Sequence, residues 1–165
     1  MKTLIVVDMQ NDFITGSLGS EDAENIVPLV RAKIERFDGR VIFTRDTHGE
    51  DYMKTQEGRK LPVPHCIKGT HGWEICDELA PFVKEVIDKE TFGSMNLPEL
   101  IDGTCDEIEL CGLCTDICVI SNAMILKAAY PQKTIKVDGK CSAGVTKESH
   151  ENALKAMMAV QIEIV

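Results

Sequence analysis

The sequence has no apolar run approaching the roughly 20 residues that a membrane-crossing helix requires, which sets aside a spanning protein. It also has no basic surplus: 18 Lys and Arg stand against 27 Asp and Glu, for a formal net charge of -9. A nucleic-acid binder needs a basic face to neutralise phosphates, so that class is set aside too. Nothing near Met1 reads as a secretory leader, because the run Leu4-Ile5-Val6-Val7 is short and ends in charge at Asp8. There is no internal repeat and no low-complexity tract. Seven cysteines, an odd count, do not suit a full disulfide framework. Without a leader they point to free thiols in a reducing cytoplasm. What is left is an acidic chain of 165 residues, 44% apolar, with no break in composition. It reads as a single domain over residues 1–165 with a core of its own.

Short apolar runs alternate with stretches of helical period. Strands are expected at Thr3–Asp8, Arg40–Thr44, Lys84–Asp88, Glu107–Cys111, Thr134–Val137 and Gln161–Val165. Helices are expected at Ala23–Phe37, Asp116–Tyr130 and Lys147–Ala159. In the first helix Ile26, Leu29, Val30, Ile34 and Phe37 share a face, and Gly39 follows as a stop signal. This order implies an α/β protein of three αβα layers, with a six-stranded, mostly parallel, Rossmann-like sheet.

Ligands of open α/β sheets bind beyond the carboxyl ends of the strands. Here those ends carry Asp8, the run Arg45-Asp46-Thr47-His48, the pair Asp88-Lys89, and Gly112-Leu113-Cys114-Thr115-Asp116-Ile117-Cys118. Acids, an imidazole, a lysine and thiols thus emerge on one edge. Between Asp46 and about Pro81 the chain loses periodicity, yet it holds three of the four histidines and the only tryptophan. A long irregular connection of that kind points to function. Taken singly, its residues have plainer readings: Asp46 and His48 as a turn residue and a surface imidazole, and Trp73 as a packing anchor. Lys89 alone reads as a surface charge, and His150 as a solvent-facing helix residue.

The segment from Cys111 to Cys118 allows three readings. A zinc knuckle would use Cys111 and Cys114, but no second ligand pair is evident nearby. A redox pair would use the same two, although Cys111 falls at a buried strand end. Small buried fillers are the plain alternative for any one of the three. Cys118 stands apart. With Thr115 or Asp116 as N-cap it falls in the first helical turn, where the helix dipole is expected to lower its pKa. Free N–H groups of the same turn can receive an oxyanion.

The run Asp8-Met9-Gln10-Asn11-Asp12-Phe13, the lysine after the third strand, and Gly112-Leu113-Cys114-Thr115-Asp116-Ile117-Cys118-Val119 together resemble the isochorismatase-like cysteine hydrolases, and within them the nicotinamidase branch. The motifs occur in family order over nearly the whole chain. The resemblance implies Asp8 as general base, Lys89 as the cation beside it, and Cys118 as nucleophile. It implies an oxyanion hole from the N–H groups of Cys114 and Cys118, and a cis peptide between Leu113 and Cys114. It further implies a divalent metal, zinc first, with iron or manganese as alternatives, held by Asp46, His48 and His65, with Glu57 as a fourth ligand. Phe13, Phe92 and Leu113 would face a small-molecule amide. Association into a homo-oligomer is a further family expectation.

The chain also departs from the nicotinamidase pattern. Pro62 stands where an aromatic residue usually precedes the metal histidine by three positions, and Phe92-Gly93 replaces a tyrosine and serine. The leading expectation is hydrolysis of nicotinamide to nicotinate and ammonia through a cysteine thioester. Its rival is a sibling amidase for a ureido, carbamoyl or maleamate-type amide. A non-catalytic metal or redox-sensing module is the reading from another class.

Overall fold

Strand β1 (Lys2–Val7) has no solvent-facing side: Leu4, Ile5, Val6 and Val7 are all fully buried. A strand so covered sits inside a sheet with layers on both faces. The computed structural model describes all 165 residues. The other strands are β2 (Arg40–Asp46), β3 (Val86–Lys89), β4 (Glu107–Leu113), β5 (Thr134–Ala143) and β6 (Glu163–Ile164). They form one six-stranded sheet in the order β3-β2-β1-β4-β5-β6, and every pairing is parallel.

Alternate residues of each strand feed two separate cores. Leu4, Val6, Phe43, Cys111 and Leu113 pack with Ile26, Val30 and Ile34 of α2 (Glu21–Arg36), which follows the one-turn helix α1 (Asn11–Ile14). Ile5, Val7, Ile42, Ile108 and Leu110 pack on the opposite face. There they meet Ala123 and Leu126 of α4 (Ile120–Ala129) and Leu154 and Met157 of α5 (Lys147–Ala159). A further short helix, α3 (Gln56–Lys60), lies in the connection from β2 to β3. The three layers expected from the alternating pattern are thus present.

Several details differ from the expectation. Leu29 is 47% exposed, and Val27 takes its place in the core. Helix α2 ends at Arg36 on an extended Phe37. Gly39 therefore acts otherwise than as a helix stop: a Cβ there would lie 2.4 Å from the Lys2 carbonyl oxygen, so the residue serves close approach to β1. Strand β5 runs on to Ala143, past a register shift opposite Leu110–Gly112 in β4. Asp116–Tyr130 is not one helix. Thr115–Val119 is a π-helical turn, and α4 begins only at Ile120. Single π turns inside helical segments are common at functional sites.

Two residues at strand ends have positive φ: Asp8 at +48° and Gly112 at +116°. These neighbouring chain ends approach closely, since a Cβ on Gly112 would stand 2.2 Å from the Val7 carbonyl oxygen. Gly112→Ala combines a disfavoured φ with a backbone clash. It is expected to destabilise the fold by about 3 kcal/mol, read as a lower urea midpoint with unchanged slope.

Candidate active site

The parallel register brings the charged strand ends together. Asp46 at the end of β2 pairs directly with Lys89 at the end of β3, and Asp8 follows the last residue of β1 in the adjacent strand. The Lys89 side chain is 1% exposed and that of Asp8 is fully buried. Lys89 Nζ lies 2.6 Å from Asp8 Oδ2 and 3.2 Å from Asp46 Oδ1. It also donates to the Thr91 carbonyl at 3.2 Å and reaches Cys118 Sγ at 3.5 Å. Asp8 Oδ1 accepts the Thr44 hydroxyl at 2.6 Å.

Burial dominates the titration of this group. It raises the Asp8 carboxyl above the ordinary carboxylate range, and Lys89 offsets that only in part. Burial likewise holds the Cys118 thiol well above its usual pKa, with the Asp8 charge adding to the effect and Lys89 opposing it. The lowering expected from a helix dipole is therefore overturned. Desolvation of a thiol with almost no water contact outweighs half a charge at a turn. The capping expectation changes as well. Cys114 is the N-cap, without a side-chain bond, and Cys118 sits within the π turn. Thr115 instead pairs through its hydroxyl with His150 Nδ1 at 2.8 Å, and Asp116 Oδ1 accepts the Val145 N–H at 3.1 Å. His150 is consequently half-buried rather than solvent-facing.

The Leu113–Cys114 peptide is cis. The Cys114 carbonyl accepts the N–H groups of Ile117 and Val119, each at 3.0 Å. All seven cysteines are free. Cys111 lies inside β4 with no exposure, and burial pushes its thiol up, as it pushes Cys114 to about 12.

Beside this group, Asp46, His48, Glu57 and His65 offer ligand atoms that all lie within 4.8 Å of one another. Asp46 Oδ2 is 2.9 Å from His48 Nε2 and 3.5 Å from His65 Nε2. Glu57 Oε1 is 3.7 and 3.6 Å from the same two nitrogens. His65 Nδ1 bonds the Val63 carbonyl at 2.8 Å, so its Nε2 is the nitrogen turned to the cluster. Burial opposes ionisation of Asp46, but His48, His65 and Lys89 outweigh it and hold the carboxyl below the ordinary range. Two imidazoles and two carboxylates form a donor set that suits zinc, iron or manganese. His71 is exposed and pairs with Glu74, away from the cluster. Trp73, expected as a packing anchor, is half-buried and outside both cores, and is held by polar contacts: Nε1–H donates to Thr47 Oγ1 at 2.9 Å, and Arg45 stacks 3.7 Å above its ring.

Both groups open into one cleft of about 510 Å³. Cys118, Cys114, Asp46, Glu57 and His65 reach it, and Phe13, Leu18, Leu61, Phe92, Ile117 and Val145 give it an apolar wall. Leu113 lines it too, although it is only 1% exposed. Pro62, noted above as a departure from the nicotinamidase pattern, does not line the cleft, and the adjacent Leu61 does.

Some contributors carried no individual sequence signal. Gln10 is fully buried and clamps the backbone of Asp46, accepting its N–H at 2.7 Å and donating to its carbonyl at 2.8 Å. Tyr52 packs edge-on against both His48 and His65, with centroids at 4.8 and 5.0 Å. Gln10 could be found only as part of its motif, and Tyr52 only as an aromatic in a non-periodic loop.

A parallel sheet with a thiol, an acid and a lysine at its carboxyl edge, beside four residues that could hold a metal, is the arrangement expected of an isochorismatase-like hydrolase. The isochorismatase domain model matches residues 2–165, and the chain belongs to that family. It is 31% identical to an uncharacterized isochorismatase family protein of Bacillus subtilis, over 93% of this chain and 92% of that one. It is 30% identical to the nicotinamidase/pyrazinamidase of Mycobacterium tuberculosis, covering all of this chain and 98% of the relative. The solved pyrazinamidase of Pyrococcus horikoshii in complex with zinc superposes with a TM-score of 0.82 at 26% identity, over 99% and 98% of the two chains. The resemblance to the nicotinamidase branch is thereby borne out, as is the three-layer fold.

Lys89 neutralises two carboxylates that have almost no water. Lys89→Met strands both, and removing one partner of a buried ion pair typically costs about 3–5 kcal/mol. Chemical denaturation at pH 7 is expected to show a loss of that size, far beyond that of a surface lysine.

Proposed function

We propose that this chain hydrolyses nicotinamide to nicotinate and ammonia through a thioester on Cys118. At the coarser level it is a hydrolase acting on linear amide C–N bonds. The observation that carries the substrate is the cleft itself. Its wall is largely apolar and aromatic, and no lysine or arginine lines it. No basic side chain of the wall would pair with an anionic maleamate-type or carbamoyl acid, which leaves only an ion held by Asp46, His48, Glu57 and His65 as its counter-charge, whereas a neutral aromatic carboxamide also matches the apolar wall.

In the proposed reaction Asp8 takes the Cys118 proton as the sulfur attacks the amide carbon. Lys89 keeps the pair of acidic groups from both losing their compensation. The oxyanion of the tetrahedral intermediate faces the N–H groups of Cys114 and Cys118. Asp8 then passes the proton to the departing nitrogen and ammonia leaves. Asp8 next deprotonates a water molecule, which hydrolyses the thioester, releases nicotinate and restores the thiol. Asp46, His48, Glu57 and His65 would hold a divalent ion, zinc by preference. When bound, such an ion supplies a Lewis-acidic centre that orients the pyridine ring. Phe13, whose ring lies 5.5 Å from that of His65, flanks the same place.

Ammonia release from nicotinamide by zinc-loaded protein tests the reading. Cys118→Ala is expected to cut it by at least about 10³-fold. Absence of release from the wild-type protein, with metal shown to be bound, would retire nicotinamide as substrate. Independently of turnover, His65→Ala removes one of two imidazoles and is expected to weaken zinc binding more than about a hundredfold in a competition titration. Unchanged affinity would remove His65 from the ligand set.

A further inference from the structure

The thiol and the Phe92 wall come from different elements, the π turn before α4 and the segment after β3. Packing does little to fix the Phe92 side. Phe92 is 46% exposed, Glu90 and Thr91 are exposed as well, and Gly93 has no side chain. The segment is held through its backbone instead. Lys89 donates to the Thr91 carbonyl at 3.2 Å. The Asn122 side chain then takes two adjacent points: Nδ2 donates to the Phe92 carbonyl at 3.3 Å, and Oδ1 accepts the Ser94 N–H at 2.9 Å.

Asn122 lies on α4, one turn beyond the thiol, and is fully buried. Its Nδ2 also donates to the Cys118 carbonyl at 2.8 Å. Its neighbours toward the sheet are Ala123 and Leu126, where an apolar residue would be the simpler choice. A buried amide is tolerated because both of its N–H donors and its oxygen are used. Gly93 permits the approach: a Cβ there would stand 2.6 Å from Ile125 Cδ1 and 3.2 Å from Ser121 Cβ.

We propose that Asn122 is a positioning residue that staples the Phe92 wall to the Cys118 turn and so fixes the pocket's width over the thiol. Its importance for turnover rests on the amidase reading given above. A ring seated against Phe92 meets the sulfur only while the two sides keep this spacing.

The two halves of the staple can be separated. A threonine at 122 keeps a hydroxyl able to donate to the carbonyl four residues back, as Ser121 Oγ does to Ile117 at 2.6 Å. It is too short to reach Phe92 and Ser94. Asn122→Thr is therefore expected to raise KM for nicotinamide about tenfold while changing kcat less than about threefold. Hydrogen exchange followed by mass spectrometry should quicken about tenfold over residues 90–96 and stay unchanged over 115–119. Asn122→Leu fills the space without any of the bonds and is expected to quicken exchange in both segments. It also decides the matter should the threonine variant fail to fold. Unchanged exchange over 90–96 in the folded variants would overturn the staple, as would a uniform loss of protection with kcat and KM changing together. Exchange needs no substrate. A wild-type protein inert toward nicotinamide would therefore remove the amidase reading and still leave the staple decided.

Discussion

The ammonium of Lys89 is the constraint around which the carboxyl edge of the sheet is arranged. A cation 1% exposed is tolerable only with compensating charge within reach, and here two carboxylates from two other strands supply it at 2.6 and 3.2 Å. The strand order makes this available, because β3, β2 and β1 are adjacent and their carboxyl ends coincide. Asp46 divides its oxygens: Oδ1 faces Lys89 while Oδ2 faces His48 and His65. One residue therefore joins the ion pair beside the thiol to the metal-ligand set, and Gln10 fixes that residue from both sides of its backbone. Cys118, Asp8 and the candidate metal ligands form one polar network instead of two neighbouring ones.

What could be read from the sequence follows from the range of the contacts involved. Strand and helix positions depend on local periodicity, so β1, α2 and α5 are visible in the apolar pattern to within a few residues. Leu29 fits the helical face by spacing and still lies outside the core, because the buried stripe of α2 is rotated toward Ala23 and Val27. Asp46 and His48 are two residues apart and their pairing is local, whereas His65 and Glu57 join them only through the fold of an irregular connection. The resemblance supplied those two ligands where spacing could not. Gln10 and Asn122 act across 36 and 28 residues respectively, through bonds to backbone that no periodicity encodes.

The cysteines illustrate the same limit. By type they are indistinguishable, and spacing offered a knuckle or a dithiol for Cys111 and Cys114. The four-donor metal set contains no sulfur, and every thiol is free. Cys111 is sealed within β4 as a small apolar filler, while Cys114 and Cys118 reach the cleft. Topology rather than local chemistry separates the candidate nucleophile from its neighbours: Cys118 is the thiol set 3.5 Å from a buried ammonium.

That setting also bears on the ionisation of the thiol. A helix N-terminus alone favours thiolate, whereas burial and the adjacent Asp8 charge raise the thiol pKa here. In the proposed reaction a thiol so raised is deprotonated as it attacks. This calls for a base whose own pKa lies closer to neutrality than that of an exposed aspartate. Burial moves Asp8 in that direction, so the desolvation that raises the thiol also makes Asp8 the stronger base the proposed reaction calls for. Lys89 keeps the shared negative charge affordable wherever the proton sits, on oxygen or on sulfur. In the proposed reaction the proton passes between two groups that the same dry environment has tuned toward each other, and a more exposed site would weaken both halves of the exchange.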